Sequence, residues 1–127
     1  MSKQNLYFGK TGEDVAVGFL KETGYKVLAR NYKTKFGEID IIALDRNTLC
    51  FVEVKTRHND KFGIPFEAVS QSKQRKISKV ALMYLKENKL LDKKARFDVV
   101  SIKYLTRGNP HPELVKNAFE LDEKFVY

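Results

Sequence analysis

Gly37-Glu38-Ile39-Asp40-Ile41-Ile42-Ala43-Leu44-Asp45-Arg46-Asn47-Thr48-Leu49-Cys50-Phe51-Val52-Glu53-Val54-Lys55 reads as two strands, 38–44 and 49–55, joined by a polar turn. Both arms are rich in Ile, Val, Leu and Phe, and a turn cluster between two such arms is the local signature of a hairpin. With Arg46-Asn47 as a two-residue loop, Leu44 faces Leu49, Ile42 faces Phe51 and Asp40 faces Glu53. Opposed residues of an antiparallel pair share a face, with Cβ atoms about 4.5–5.5 Å apart. Lys55, two residues beyond Glu53, projects from that face too. Ile39, Ile41 and Ala43 against Cys50, Val52 and Val54 then form the other face, wholly apolar. A one-residue slip would send Asp40 to the face opposite Glu53.

Asp40, Glu53 and Lys55 are thus gathered on strands whose other members are nearly all apolar. Two carboxylates held close repel, and at least one pKa rises unless a cation sits between them. Oxygen ligands of this kind suit Mg2+ or Mn2+; Mg2+ commonly takes one or two carboxylates together with waters and phosphate oxygens. An adjacent ammonium can orient a water or stabilise charge developing on a phosphate. The bland alternative is an edge hairpin whose Asp, Glu and Lys face water in a weak ion pair.

The chain around this hairpin has 127 residues, which suits one domain (1–127, with 1–8 a candidate flexible lead-in). Its 24 Lys and Arg outnumber 16 Asp and Glu, a net charge of +8 that suits a polyanionic partner, nucleic acid first. A basic protein without such a partner has the same count. A single cysteine, Cys50, cannot form an internal disulfide, and its place among strand residues suits a small buried hydrophobe. No apolar run reaches the roughly 20 residues of a membrane span, and no signal-peptide core follows Met1. The expectation is a cytoplasmic protein with no membrane partner.

Residues 11–22 carry a helical pattern, with Thr11 as N-cap and Gly24 as stop. Glu13, Ala16, Val17 and Leu20 lie on one stripe, although an acidic residue in a first turn is also favoured by the helix dipole alone. Residues 25–32 read as a strand with Val27 and Leu28 as core candidates. Arg30 and Lys33, beside Tyr32, suit phosphate contact or, more plainly, a solvated strand end. Glu38 opposes Lys55 in the expected register and is placed to tune it. Residues 56–66 have loop chemistry, with Arg57 as a candidate phosphate clamp and His58 as a loop histidine. A long helix is expected within 67–88, with Ile77, Val80, Ala81, Tyr84 and Leu85 as its apolar stripe. Arg75, Lys76 and Lys79 lie broadly on its other side, and Lys73, at the helix start, is placed to turn toward the cluster of Asp40, Glu53 and Lys55 or to contact nucleic acid, with Gln71 a weaker candidate. Residues 70–96 hold nine basic and two acidic residues, most of the chain's net charge. Such a single-sign face suits DNA tracking, or else it is solvated surface. Residues 96–104 read as a strand with Phe97 and Val99 on one face and Asp98, Val100 and Ile102 on the other. Asp98 is expected to pair with a buried donor. A turn-rich loop is expected over 106–112, and residues 113–119 suit either a strand or a helix.

Asp40 followed after a hairpin by Glu53-Val54-Lys55 resembles the Asp…Glu-x-Lys signature of the PD-(D/E)xK, or restriction-endonuclease-like, nucleases. Gly12-Glu13, Arg30-Asn31-Tyr32, Gly37-Glu38-Ile39-Asp40, Phe51-Val52-Glu53-Val54-Lys55-Thr56-Arg57, Phe62-Gly63, Phe97-Asp98-Val99-Val100 and Asn117-Ala118-Phe119 occur in an order similar to the YraN family. That family is a bacterial group of small proteins resembling archaeal Holliday junction resolvases, and the likeness runs from about residue 9 to 119. The resemblance implies an α/β, restriction-endonuclease-like fold with a central mixed sheet of four to five strands flanked by helices. It implies a Mg2+-dependent endonuclease (Mn2+ as a substitute) acting on DNA, branched or structured forms included, and a homodimer for symmetric cutting. Asp40, Glu53 and the Val54 backbone carbonyl would bind the metal, Glu13 would join them from the first helix, and Lys55 would position the attacking water. Arg57, Lys73, Arg75, Lys76, Lys79, Arg30 and Lys33 are the candidate nucleic-acid contacts. The alternative is a non-catalytic nucleic-acid-binding protein that retains the fold.

Overall fold

In the computed structural model, which describes residues 11–57, 70–104 and 109–119, seven elements follow one another. They are α1 (Gly12–Glu22), β1 (Lys26–Thr34), β2 (Gly37–Asp45), β3 (Thr48–Arg57), α2 (Gln71–Glu87), β4 (Ala95–Tyr104) and β5 (Pro110–Phe119). The strands form one sheet in the order β1-β2-β3-β4-β5. All neighbours are antiparallel except β3 and β4, which run parallel. A parallel pair needs a long crossover, and α2 lies in that connection. The expected α/β class with a mixed sheet holds, at five strands.

Each face of the sheet is covered by one helix. Ile39, Ile42, Leu49, Phe51, Phe97 and Val99 pack with Ile77, Val80, Ala81 and Leu85 of α2. Ile41, Ala43, Cys50, Val52, Val100 and Ile102 pack with Val15, Ala16, Val17 and Leu20 of α1. Strands buried on both faces lose simple apolar–polar alternation, which is why β3 and β4 read as near-continuous apolar runs. Each fully buried Leu, Ile or Phe side chain contributes about 1.5–3 kcal/mol.

The caps explain the helix limits. Thr11 Oγ1 accepts from the Asp14 N–H at 3.2 Å, and Gly24 adopts φ +96 just past the C-cap Thr23. Ser70 is extended and its Oγ accepts from the Lys73 N–H at 3.2 Å, so α2 starts at Gln71, inside the stretch expected to contain it.

Other limits also move. Leu28 is exposed rather than core, because a register shift between Val27 and Ala29 leaves it out of the ladder, and Tyr25 is buried instead. Thr56 and Arg57 belong to β3, paired with Ile102 and Lys103 of β4, rather than to a loop. Pro110, His111 and Pro112 belong to β5, as does the undecided 113–119 segment. Prolines are tolerated there because β5 is an edge strand. The 1–8 lead-in, His58 and residues 105–108 lie outside the described residues. Among the described residues no helix is long and apolar enough to cross a membrane.

Candidate active site

The β2–β3 ladder forms in the expected register, from Asp45↔Thr48 through Leu44↔Leu49 and Ile42↔Phe51 to Ile41↔Val52. Arg46 takes φ 58 in the two-residue turn. Beyond Ile41 the alternation of faces changes. Ile42 packs toward α2 and Ile41 toward α1, yet Ile39 packs toward α2 as well. Ile39 and Ile42 are three residues apart, an odd spacing that a regular strand cannot place on one side. The expectation of Ile39 on the face of Ile41 is therefore corrected, and Asp40 is the residue at which the strand resets. Strand β1 resets at the same level: Ala29 and Tyr32 both pack toward α2, and Asn31 between them takes φ 52.

This irregularity positions Asp40. Its Oδ2 accepts the Val54 N–H at 2.8 Å. A strand N–H points within the sheet toward the neighbouring strand, so the Asp40 carboxylate occupies the gap where the ladder would continue. Asp40 and Glu53 meet through this opened ladder rather than as a hydrogen-bonded strand pair. The Asp40 carboxyl is pushed up to about 6, chiefly by burial, with the negative charges of Glu53, Glu38 and Glu13 adding to it and the Val54 hydrogen bond opposing it.

Glu53 is buried at 9 % exposure. It forms an ion pair with Lys73 of the first turn of α2, so Lys73 turns toward this end of β3, and its partner there is Glu53. Lys55 shares with Glu53, Lys73 and Arg57 the lining of a cleft of about 270 Å³ at the C-terminal end of β3. Among the described residues Lys55 has no ion-pair or hydrogen-bond partner. Glu38 does not meet Lys55: the ladder stops short of that pair, and Glu38 pairs with Lys33 across β1 at 3.9 Å.

Glu13 reaches the same end of the sheet from α1. A Cβ on Gly12 would fall 2.5 Å from Thr56 Cγ2, so only glycine lets the helix start this close to β3. Glu13 Oε1 accepts from Arg30 Nε and from Asn31 Nδ2, both at 2.9 Å, and Arg30 Nη2 donates to Asp14 Oδ1 at 2.6 Å. Arg30 is therefore bound to two carboxylates, and the Arg30-Asn31 pair positions Glu13. Sequence reading missed Asn31; its signal was an Asn inside a strand pattern, since Asn tolerates φ > 0 more readily than most residues.

The remaining basic candidates spread over one side. Arg75 and Lys76 are exposed on α2, and Lys79 is half-buried with its ammonium 5.6 Å from the Phe36 ring centre. Lys35 lies 5.2 Å over the same ring.

Among the described residues no three His, Cys, Asp or Glu side chains come together as a metal cluster. What this end of the sheet offers is two carboxylates, Glu53 in the cleft lining and Asp40 on β2, where the charge of Glu53 raises it, and two is the number of protein carboxylates Mg2+ commonly takes. One of the pair is under-compensated and the other carries an ammonium where a cation is wanted. The donor chemistry fits Mg2+ or Mn2+, with Glu13 held apart by Arg30 and Asn31.

An α/β protein with a five-stranded mixed sheet between two helices, its Asp and Glu-x-Lys set on the interior strands β2 and β3, is consistent with the restriction-endonuclease-like fold. A family model described as "Uncharacterised protein family UPF0102" matches residues 12–102. The chain is 51% identical over 118 residues to a UPF0102 protein of Syntrophus aciditrophicus, covering 93% of this chain and 92% of the relative. It is 50% identical over 116 residues to one from Dictyoglomus turgidum, covering 91% and 98%. The chain belongs to the UPF0102 family, the YraN family of the resemblance above.

Proposed function

We propose that this protein is a Mg2+-dependent endonuclease that hydrolyses phosphodiester bonds of DNA, with branched or structured DNA as the first substrates to test. The observation that carries this reading is the half-buried Asp40, pushed up to about 6 by burial and by the charge of the buried Glu53, beside an ammonium with no partner among the described residues. Structural carboxylates buried this far are normally matched by cations. Asp40 and Glu53 would hold the metal, with the Val54 carbonyl beside them. When bound, Mg2+ supplies positive charge to a phosphate and acidity to a water.

The chain's own groups do the rest. Lys55 directs its ammonium into the cleft, where it holds the attacking water and offsets charge growing on the phosphate oxygens. Arg57 and Lys73 line the same cleft and fix the phosphate backbone across it. Arg75, Lys76 and Lys79 of α2 extend a basic track away from it. Cutting both strands of a branched substrate needs two such sites, so a dimer is part of the proposal.

The test is cleavage of duplex, single-stranded, flap and four-way DNA with Mg2+ and Mn2+. Asp40→Asn and Glu53→Gln are each expected to lower cleavage by about 10³-fold or more, with DNA binding retained. Lys55→Ala is expected to lower it by about 10²–10³-fold. Undiminished cleavage in the carboxylate variants removes the proposal. Salt-sensitive DNA binding with no cleavage and no metal uptake identifies the non-catalytic binder instead.

A further inference from the structure

At the other end of β3, the β2–β3 turn and the approach to β4 enclose a second cleft, of about 840 Å³. Strand rise of about 3.3 Å per residue puts Thr48 about 17 Å from Glu53, so this cleft is remote from the carboxylate pair. Its charged lining is Arg46, Lys94, Arg96, Lys116 and Asp45. Lys94, Arg96 and Lys116 also line an adjoining cleft of about 330 Å³.

The floor is built rather than merely basic. Asp98, with no exposure, accepts from Arg96 Nε at 2.9 Å, the Tyr25 hydroxyl at 3.1 Å and the Asn117 N–H at 2.9 Å. Arg96 Nη2 donates to the Tyr25 hydroxyl at 2.8 Å and to Asp45 Oδ2 at 2.7 Å. These bonds use the Nε and Nη2 sides of the guanidinium and fix its plane. The Nη1 edge, which has no partner among the described residues, is left for a ligand. Asp45 is already neutralised by Arg96 and by Lys116 at 3.3 Å. Arg46 and Lys94 have no ion-pair partner among the described residues.

We infer that this cleft is a phosphate-binding site separate from the proposed catalytic one, with the Arg96 guanidinium fixed in its floor, Lys116 held beside it on Asp45, and Arg46 and Lys94 as exposed cations around it. A guanidinium whose plane is held from behind aims its Nη1 N–H groups in a fixed direction at a phosphate oxygen, and exposed cationic side chains add charge without fixing geometry. The phosphate belongs either to a nucleic-acid backbone or to a free phosphate compound. The inference does not depend on the nuclease reading.

The experiment is amide chemical-shift mapping of the full chain during titration with inorganic phosphate and, separately, a short DNA duplex without divalent metal. The double variant Arg46→Ala/Lys94→Ala is run in parallel; both side chains are exposed, so the variant folds. Saturable shifts at residues 46–48, 94–96 and 116–117, weakened at least fivefold in the variant, are the expected result. Seen with both ligands, they make the cleft a DNA-backbone subsite, and the variant's salt slope for duplex binding falls by about one to two. Seen with phosphate alone, they make it a site for a free phosphate compound. Absence of shifts there with either ligand overturns the inference. So do shifts scattered over all surface lysines and unchanged in the variant.

Discussion

Asp40, half-buried, and Asp98, fully buried, stand on strands of one sheet, and they are treated in opposite ways. Asp98 receives three donors, a guanidinium, a phenol and a backbone N–H, and loses all contact with water. Among the described residues Asp40 receives one donor, the Val54 N–H, and it faces the charges of three glutamates. A carboxylate with a full set of partners is a structural group; Asp45, which shares Arg96 with it, is held below the usual carboxylate range by that guanidinium. A carboxylate with one partner and like charges around it is unfinished until a cation arrives. The difference separates architecture from chemistry within a single sheet.

The contrast breaks most visibly at Asp98. Asp98→Ala leaves the half-buried Arg96 without its main counter-charge and takes from the Tyr25 hydroxyl the acceptor of its proton, leaving it only the bond from Arg96. Removing one partner of a buried pair costs about 3–5 kcal/mol, although Asp45 retains part of Arg96's compensation. Denaturant unfolding should show a loss near the lower end of that range, equal with and without Mg2+. A variant as stable as the parent would mean that the network is ornamental.

Asp40→Asn should act in the other direction. The Asn Oδ1 can keep the Val54 hydrogen bond while removing the charge. The folded-state pKa of about 6 lies above the ordinary 3.8, so the folded chain holds a proton that the unfolded chain has released. Stability from this group is complete below pH 3.8 and falls as pH rises to about 6. Metal-free Asp40→Asn is therefore expected to be more stable than the parent by about 1 kcal/mol at pH 8, after allowance for solvent screening, and no more stable at pH 4. Mg2+ at pH 8 should close the gap by stabilising only the parent. A pH-independent difference between the two proteins contradicts the raised pKa.

Sequence periodicity carried the hairpin, both helices and the split of β4 into two faces, because each depends on local apolar spacing and on caps such as Thr11 and Ser70. It placed Asp40, Glu53, Lys55 and Lys73 at one end of β3 for the same reason. It missed the reset at Asp40, since strict alternation was assumed through a point where two adjacent strands both skip a step. Asn31 supplies the unusual φ on β1, and nothing in its immediate neighbours announces that. The Arg96–Asp98–Tyr25 network joins residues 71 and 73 positions apart, a separation beyond any local pattern. Cys50, expected as a small hydrophobe, is buried with its thiol pushed up to about 12, chiefly by burial.

The smallest expected effect is also the most discriminating about Glu53. In the metal-free protein Lys73 supplies the positive charge that Asp40 lacks, so the two carboxylates of one proposed site are themselves unequally served. An ammonium on Glu53 competes with a divalent ion for the same oxygens. The Lys73 side chain is 48% exposed, and exposed pairs are worth about 0.2–1 kcal/mol, which limits the competition. Lys73→Ala is accordingly expected to raise Mn2+ affinity by between about 1.5- and 5-fold, measured by calorimetry or by the loss of the free-ion spin-resonance signal. In the Glu53→Gln background the same substitution should change nothing, because the contested oxygens have lost their charge. If Lys73→Ala lowers affinity, or acts equally in both backgrounds, Lys73 is a support for the metal's ligands and not a placeholder for the metal.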